Sequence, residues 1–311
     1  MVRDHKWIEQ VSEPALDPDL PICDPHHHFW VHRDSQHIRN NRYLLDDLMA
    51  DLDCGHNITS TVFIECRSEY RKDGPDHMRP VGETEFVAEL AEQSAAGATG
   101  PVRAAAGIIG NTDLRLGDDA RAVLEAHIEA GRGRFRGIRH TASWDASDAV
   151  RNGFNNPPPG LYLDRSFRQG FAHLAPLGLT FEAWCYHPQL GDVTSLARAF
   201  PGTTIVMNHL GGPLGLGPYG ERRDDALRHW QNALGDLATC PNAHIKLGGI
   251  AMDIIGFAWH ERASPPDSAE LADAIRPYIE HAIEVFGPER AMFESNYPVD
   301  KLGCGYGVIW N

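Results

Sequence analysis

The sequence lacks several features that would place it in a common class of protein. It contains no run of about 18 apolar residues, so we expect neither a membrane-spanning helix nor a membrane partner. Its first residues, Met-Val-Arg-Asp-His-Lys, have no apolar core like that of a signal peptide, which favours a cytoplasmic protein. Lys and Arg number 28 against 43 Asp and Glu, and without a basic face we expect no nucleic-acid partner.

Cysteine is scarce and scattered. The chain has 6 cysteines in 311 residues, none of them in a CxxC pair, and several fall within segments that we predict as strands. We therefore expect free and mostly buried thiols in a reducing compartment, rather than a disulfide framework.

The rest of the chain alternates between strand and helix patterns. After a polar arm at residues 1–20, segments rich in apolar and β-branched residues predict eight strands, at 22–28, 59–66, 102–109, 135–140, 179–187, 203–209, 243–249 and 290–296. Helical patterns lie between most of them, at 81–93, 118–130, 163–174, 190–199, 223–237 and 271–286.

This alternation predicts one α/β domain over residues 21–311, folded as a (β/α)8 TIM barrel. The alternative is a doubly wound open sheet, but no GxGxxG motif follows the first strand. The chain stops at Asn311, soon after the eighth strand, so we expect most of the last helix to be missing.

The stretch Ile22-Cys-Asp-Pro-His-His-His-Phe-Trp30 has the highest density of chemically active side chains. Alternate residues of a strand share a face, so Asp24, His26 and His28 are predicted to point the same way. Two imidazoles backed by a carboxylate can hold a divalent metal or polarise a substrate oxygen. A histidine-rich stretch without function is the alternative.

Other polar side chains fall at the predicted carboxyl ends of the strands, where TIM barrels carry their chemistry. Those that we single out are Glu65, Arg67, Arg139, His140, His187, His209, Asn296 and Asp300. Strand parity also turns Lys246 and Glu294 toward the barrel axis. An ion pair between these two residues is the structural alternative to a functional role, because buried charges need partners.

Taken in order, seven motifs resemble one known family. They are Asp24-Pro-His-His-His-Phe-Trp30, Phe63-Ile-Glu-Cys66, Phe135-Arg-Gly-Ile-Arg-His140, His187-Pro-Gln-Leu190, Asn208-His-Leu-Gly-Gly-Pro213, Lys246-Leu-Gly-Gly249 and Met292-Phe-Glu-Ser-Asn-Tyr-Pro-Val-Asp300. The set resembles the amidohydrolase-2 family of TIM barrels, and within it the sugar-lactone and 2-pyrone-4,6-dicarboxylate lactonases. The resemblance implies hydrolysis of a lactone or another small carbonyl compound. A non-hydrolytic decarboxylase or hydratase, and a barrel that binds without turnover, are the alternatives.

The resemblance also implies roles for four histidines. His26 and His28 match the HxH motif of the first strand, His209 matches the histidine of the sixth strand, and His187 stands where many relatives place a ligand on strand five. We expect the four imidazoles to converge at one mouth of the barrel, to take part in catalysis and to hold any zinc or manganese.

A small anionic molecule is the expected partner. Arg139 matches an arginine near the substrate carboxylate of the lactonases, and Arg67 is expected to assist it, since guanidinium groups suit planar carboxylates. Lys246 and Asp300 complete the predicted substrate-binding set. An ion pair within the protein is the alternative for Arg139. The sequence leaves open whether the chain forms a homo-oligomer.

Asn296 departs from the pattern of the family. The superfamily usually has an aspartate here, which takes a proton from the attacking water and often contacts a metal, whereas an amide has no useful basicity. We therefore expect the site to hold a metal weakly or to work without one. His187, Glu294 or Asp300 is then expected to act as the base.

Overall fold

Eight parallel strands form the centre of the molecule. The structure is a computed structural model that describes residues 5–35 and 37–311. The strands are β1 (Pro21–His27), β2 (Asn57–Ile64), β3 (Arg103–Gly110), β4 (Phe135–Thr141), β5 (Thr180–Trp184), β6 (Ile205–Met207), β7 (Ala243–Leu247) and β8 (Ala291–Phe293). They pair in chain order from β1 to β8. A parallel bridge between His27 and Tyr297 brings β8 back to β1, so the predicted TIM barrel is confirmed.

Helices surround the barrel. They are α1 (Leu45–Leu52), α2 (Val81–Gln93), α3 (Ala120–Ala130), α4 (Arg165–Phe171), α5 (Leu190–Ala199), α6 (Arg223–Ala238), α7 (Ser268–Phe286) and α8 (Tyr306–Trp310). The bounds of α2 and α5 are those predicted, whereas α1 was not predicted because it buries only three leucines over eight residues. The last helix, α8, has five residues.

Several strands end earlier than predicted, and this decides where the functional side chains lie. β5 ends at Trp184, β6 at Met207 and β8 at Phe293. The residues that follow leave the strand conformation, and His209 (φ 51°) and Asn296 (φ 53°) adopt the left-handed region that non-glycine residues rarely occupy. Such strained backbone is concentrated at functional sites. The alternation of a strand therefore does not determine where these two side chains point.

Asp24 closes the barrel instead of joining the histidines. The pairing of β1 with β2 shifts register between Asp24 and His27. Asp24 accepts hydrogen bonds from Ser295 Oγ at 2.5 Å and from the Tyr306 hydroxyl at 2.9 Å, and so joins β1 to the segment after β8 and to α8. Asp24 also accepts from the backbone amide of His26 at 3.2 Å. The partners of its carboxylate among the described residues are thus backbone amides and hydroxyl groups, and not the imidazole rings of His26 and His28.

An ion pair lies inside the barrel, but its partners differ from those expected. Lys246 Nζ lies 2.7 Å from Glu182 Oε2 and donates to the carbonyl of Pro25 at 2.9 Å. A layer of side chains in a TIM barrel comes from alternate strands, so β5 and β7 contribute to one layer. Glu294, which follows the neighbouring strand β8, belongs to another layer, and its pairing with Lys246 is not observed.

The segment before β1 packs against later parts of the chain. Trp7 Nε1 donates to the carbonyl of Arg262 at 2.9 Å, and the Leu16 amide donates to Asn311 Oδ1 at 2.9 Å. Residues 1–4 of the predicted arm lie outside the described residues.

All six cysteines are free thiols, as predicted, and four of them are buried. In residues 5–35 and 37–311, no helix combines the length and the apolar character that crossing a membrane requires.

Replacing Tyr306 with Phe should destabilise the protein more than replacing Tyr297 with Phe. Tyr306 donates to the Asp24 carboxylate, whereas Tyr297 donates at 2.7 Å to the neutral carbonyl of Cys304. Hydrogen bonds to charged groups contribute about 1.5–3 kcal/mol and neutral ones about 1 kcal/mol. Burial raises the pKa of Asp24 to about 6, so urea unfolding at pH 8 measures the ionised state.

Repeating the unfolding at pH 5 is the control, since Asp24 is then protonated in the folded state and the difference between the two variants should shrink. Equal destabilisation at pH 8 would contradict a special role for the Asp24 contact.

Candidate active site

A cavity opens beyond the carboxyl ends of the strands. It encloses an empty volume of about 1390 Å³ that is continuous with solvent. Seven of the residues singled out from the sequence line it, namely His28, Glu65, Arg67, Arg139, His140, His209 and Asn296. The cavity thus lies where TIM barrels carry their active sites.

Glu294 connects two of the predicted histidines below this cavity. Its Oε1 accepts hydrogen bonds from the backbone amide of His209 at 3.1 Å and from His209 Nδ1 at 2.7 Å. Its Oε2 lies 2.5 Å from His26 Nδ1. The His26 ring centroid lies 4.5 Å from that of His209 and 5.0 Å from that of His28. Three of the four predicted histidines therefore converge. Because Glu294 holds the Nδ1–H form of His209, the lone pair of that ring is on Nε2.

His26, His209 and Glu294 fit a divalent metal. One ligand atom from each lies within 4.8 Å of the other two. His26 Nδ1 and Glu294 Oε2 are close but not aligned as a hydrogen bond, so these two buried atoms have no hydrogen-bond partner in the described part of the chain. Two imidazoles and one carboxylate form a known ligand set for catalytic zinc. Only histidines were predicted as metal ligands, and Glu294 adds the carboxylate that Asn296 cannot supply.

The charges around the cluster also favour a cation. Lys246 and Arg139 lie next to His26, and each is already paired with a glutamate of its own. Burial, followed by the charge of Lys246, holds the pKa of His26 well below its ordinary value, so this imidazole is neutral. The side chain of Glu294 is buried against these imidazoles, and a buried carboxylate is costly without a cationic partner.

His28 and Asn296 lie side by side on the cavity wall. His28 Nδ1 donates to the carbonyl of Ile64 at 2.7 Å, which leaves the lone pair on Nε2. That atom lies 3.3 Å from Asn296 Oδ1, while Asn296 Nδ2 donates to Asp300 Oδ1 at 2.9 Å. Two acceptors therefore face each other, and a donor from a ligand or a water can satisfy both. Burial and the nearby Arg139 hold the pKa of His28 well below its ordinary value.

Asp300 and Lys246 were predicted to bind substrate, but both are buried beneath the cavity. Asp300 accepts from Asn296 and from the backbone amide of Ala251 at 3.2 Å, and burial raises its pKa to about 8. The ammonium of Lys246 forms an ion pair with Glu182 and donates a hydrogen bond to the carbonyl of Pro25 in β1. Because protein partners occupy their polar groups, these residues support the site from below.

His187 lies outside the histidine cluster. Because β5 ends at Trp184, the chain turns away before His187, whose ring packs against Tyr219 and His229 at centroid distances of 5.1 and 5.4 Å. Its Nδ1 accepts from the Leu214 amide at 3.1 Å. The neutral ring then carries its proton on Nε2 and has no lone pair left for a metal. The expected convergence of four histidines is wrong for His187.

Arg139 lines the cavity and is also held by the protein. Its Nε donates to Glu65 Oε1 at 2.9 Å, and its Nη1 lies 3.3 Å from His26 Nε2. The ion pair that formed the structural alternative is therefore present, while binding of a substrate carboxylate by Arg139 stays a prediction. Arg67 lies at the cavity mouth, where its Nη1 donates to the carbonyl of Phe154 at 3.1 Å.

Sequence reasoning did not single out three further residues of the cavity wall, Arg33, Arg151 and Trp184. Trp184 lies two residues after the inward-facing Glu182, so strand parity could have identified it. Its ring meets that of His209 edge to face at 4.7 Å. The two arginines lie in loops, where no periodic pattern indicates the direction of a side chain.

The sequence matches a known protein family. Residues 23–311, almost the whole chain, match an amidohydrolase family. The chain belongs to this amidohydrolase family. The match covers every strand of the barrel except the first two residues of β1. It also includes every site residue that was predicted from the sequence.

Several known proteins are similar to this amidohydrolase over most of their length. The protein y4mH of Sinorhizobium fredii is 30% identical over 309 residues, which are 94% of this chain and 90% of that protein. The L-fucono-1,5-lactonase of Burkholderia multivorans is 27% identical over 294 residues, 92% of this chain and 85% of the lactonase. A Burkholderia multivorans amidohydrolase crystallised with bound zinc has a TM-score of 0.68 and 25% identity, with 92% and 88% of the two chains covered.

Replacing Asn296 with Asp should raise the zinc occupancy of the purified protein. Asn296 contacts His28, whose ring adjoins that of His26, so the substitution adds a negative charge beside the proposed ligands. Elemental analysis after equal exposure to zinc and removal of free metal measures the effect. Asn155→Asp, at the outer mouth of the same cavity, is the matched control. If occupancy is the same in the wild type and the Asn296 variant, residue 296 does not lie beside the metal.

Proposed function

We propose that this amidohydrolase is a lactonase, which opens a small lactone to a hydroxy acid. The observation that carries the proposal is the pair of acceptors, His28 Nε2 and Asn296 Oδ1, that face the cavity 3.3 Å apart. The similarity to a protein named L-fucono-1,5-lactonase supports the same reaction. The family match supports hydrolysis more generally.

The two acceptors suit a nucleophilic water. A water molecule that donates one proton to His28 and the other to Asn296 has its remaining lone pairs free to attack a carbonyl carbon. His28 takes a proton as the new C–O bond forms, and acts as a general base. When the ring C–O bond breaks, His28 returns the proton to the leaving oxygen. The products then balance, since one water has been added across the ester bond.

Negative charge develops on the carbonyl oxygen during this attack and needs stabilisation. His26, His209 and Glu294 would hold a divalent cation such as zinc or manganese, which supplies polarisation of the carbonyl and compensation of that charge. Arg139 places a guanidinium next to His26 and adds positive potential on the same side. The hydrogen bond from His209 Nδ1 to Glu294 keeps that imidazole in a fixed orientation, so little reorganisation is needed during the reaction.

Replacing His28 with Gln should lower kcat by about 10²–10⁴-fold, the usual contribution of a general base. The exposed His32→Gln is the matched control and should leave kcat unchanged. Because burial holds the pKa of His28 well below 6.5, the base is neutral over the ordinary range. The fall of kcat on the acid side should therefore lie well below pH 6.5.

A panel of sugar and dicarboxylate lactones provides the substrates for this test. Loss of activity in the control His32→Gln but not in His28→Gln would contradict His28 as the base. A fall of kcat that is centred at or above pH 6.5 would contradict it as well. If carbon dioxide is released from carboxylic acids and no lactone is turned over, the protein is a decarboxylase and the proposed lactonase function is wrong.

A further inference from the structure

Five arginines line the cavity of a protein whose formal net charge is −15, namely Arg33, Arg67, Arg115, Arg139 and Arg151. Two of them are neutralised locally, because Arg115 pairs with Asp113 and Arg139 pairs with Glu65. The other three have no ion-pair partner among the carboxylates of residues 5–35 and 37–311. A third carboxylate of the wall, Asp253, pairs with His37 and also feels the charge of Arg151. Five guanidinium groups against three carboxylates still leave the cavity wall with an excess of positive charge.

The three arginines without a carboxylate meet around Phe154 at the cavity mouth. The guanidinium of Arg33 lies 5.6 Å from the Phe154 ring centroid and that of Arg151 lies 5.4 Å from it. Arg67 donates to the Phe154 carbonyl, and Arg33 also donates to the carbonyl of Cys66. The ring of Phe154 is 66% exposed. Contacts between a guanidinium and an exposed ring are weak, whereas a carboxylate binds a guanidinium through two charge-assisted hydrogen bonds.

The position of Arg67 is fixed by the fold. Its φ of 65° lies in the left-handed region, which costs free energy for a residue with a side chain. Glu83 stabilises this turn from below, since its Oε1 accepts from the amide of Cys66 at 3.0 Å and from that of Ser68 at 2.7 Å. The side chain of Glu83 is fully buried. A strained turn that a buried carboxyl group holds in place is a feature of a built binding site rather than of a loose loop.

We propose that Arg33, Arg67 and Arg151 form a subsite for a carboxylate of the substrate, so that the preferred substrate is a lactone that carries a carboxylate away from its ring carbonyl. This inference rests on the proposed lactonase function and adds the class of substrate. The lactone carbonyl lies at His28 and Asn296, on the inner wall, while the carboxylate lies at the mouth. Arg139, whose guanidinium already pairs with Glu65, is not needed for this role.

Two matched substrates test the subsite. One is a γ-butyrolactone that carries a carboxylate on its γ carbon, and the other is the same lactone with a carboxamide in that place. Arg67→Gln and Arg151→Gln should each lower kcat/KM for the carboxylate by about tenfold, mainly through KM, as expected for loss of a charge-assisted contact. Turnover of the carboxamide should not change. Arg165→Gln, an exposed substitution on α4, is the control.

Salt gives an independent readout on the wild type. The preference for the carboxylate should fall as sodium chloride is raised, because exposed charges are screened. An equal loss on both substrates, or no loss on either, would overturn the subsite. Both arginines are exposed, and a thermal melt verifies that each variant is folded.

A binding measurement separates this inference from the proposed function. Calorimetry with hydroxyglutarate, the product of the carboxylate lactone, should show binding that Arg67→Gln and Arg151→Gln weaken and Arg165→Gln does not. If the variants weaken binding in this way but no lactone is turned over, the carboxylate subsite is retained and only the proposed lactonase function is overturned. Binding that is the same in all variants would overturn the subsite, whatever the turnover.

Discussion

The carboxylate of Glu294 is the constraint on which the candidate site depends. It follows the last strand, yet it contacts a histidine of the first strand and another just after the sixth, so it brings together three parts of the barrel. An apolar side chain here would leave His209 without the acceptor that fixes its tautomer and orientation. The remaining buried cations next to this cluster are already paired, so the charge of Glu294 is the one that the fold leaves for a bound cation.

The same carboxylate explains how an asparagine can stand at residue 296. The family resemblance predicted that an acid is missing here, and the structure has an acid two residues earlier that contacts the two histidines. Asn296 instead contributes an amide that bonds to Asp300 on one side and faces His28 on the other. The change at residue 296 thus leaves a carboxylate at the cluster and places a neutral acceptor at the cavity wall.

Most of the barrel could be predicted because its strands and helices follow simple periodic patterns. The family resemblance predicted a cluster of four histidines, of which His26, His28 and His209 converge. Side-chain directions beyond the strand ends could not be predicted. His209 and Asn296 have left-handed backbone, which alternation does not anticipate. The predicted pairing of Lys246 with Glu294 was wrong because side chains of neighbouring strands do not share a layer of the barrel. His187 was misplaced because β5 ends three residues before it.

The closure of the barrel by Asp24 and Tyr306 has a consequence for the order of assembly. These two residues are 282 positions apart, so the contact that closes the ring joins nearly the two ends of the described chain. During synthesis, β1 therefore keeps one unpaired edge at least until Tyr306 has left the ribosome, and such edges favour aggregation. Closing so long a loop is slow, since its entropy is lost before the contacts form. The contacts of Glu294 with His26 and His209 therefore form late in synthesis, and a chain that stops before residue 294 lacks them.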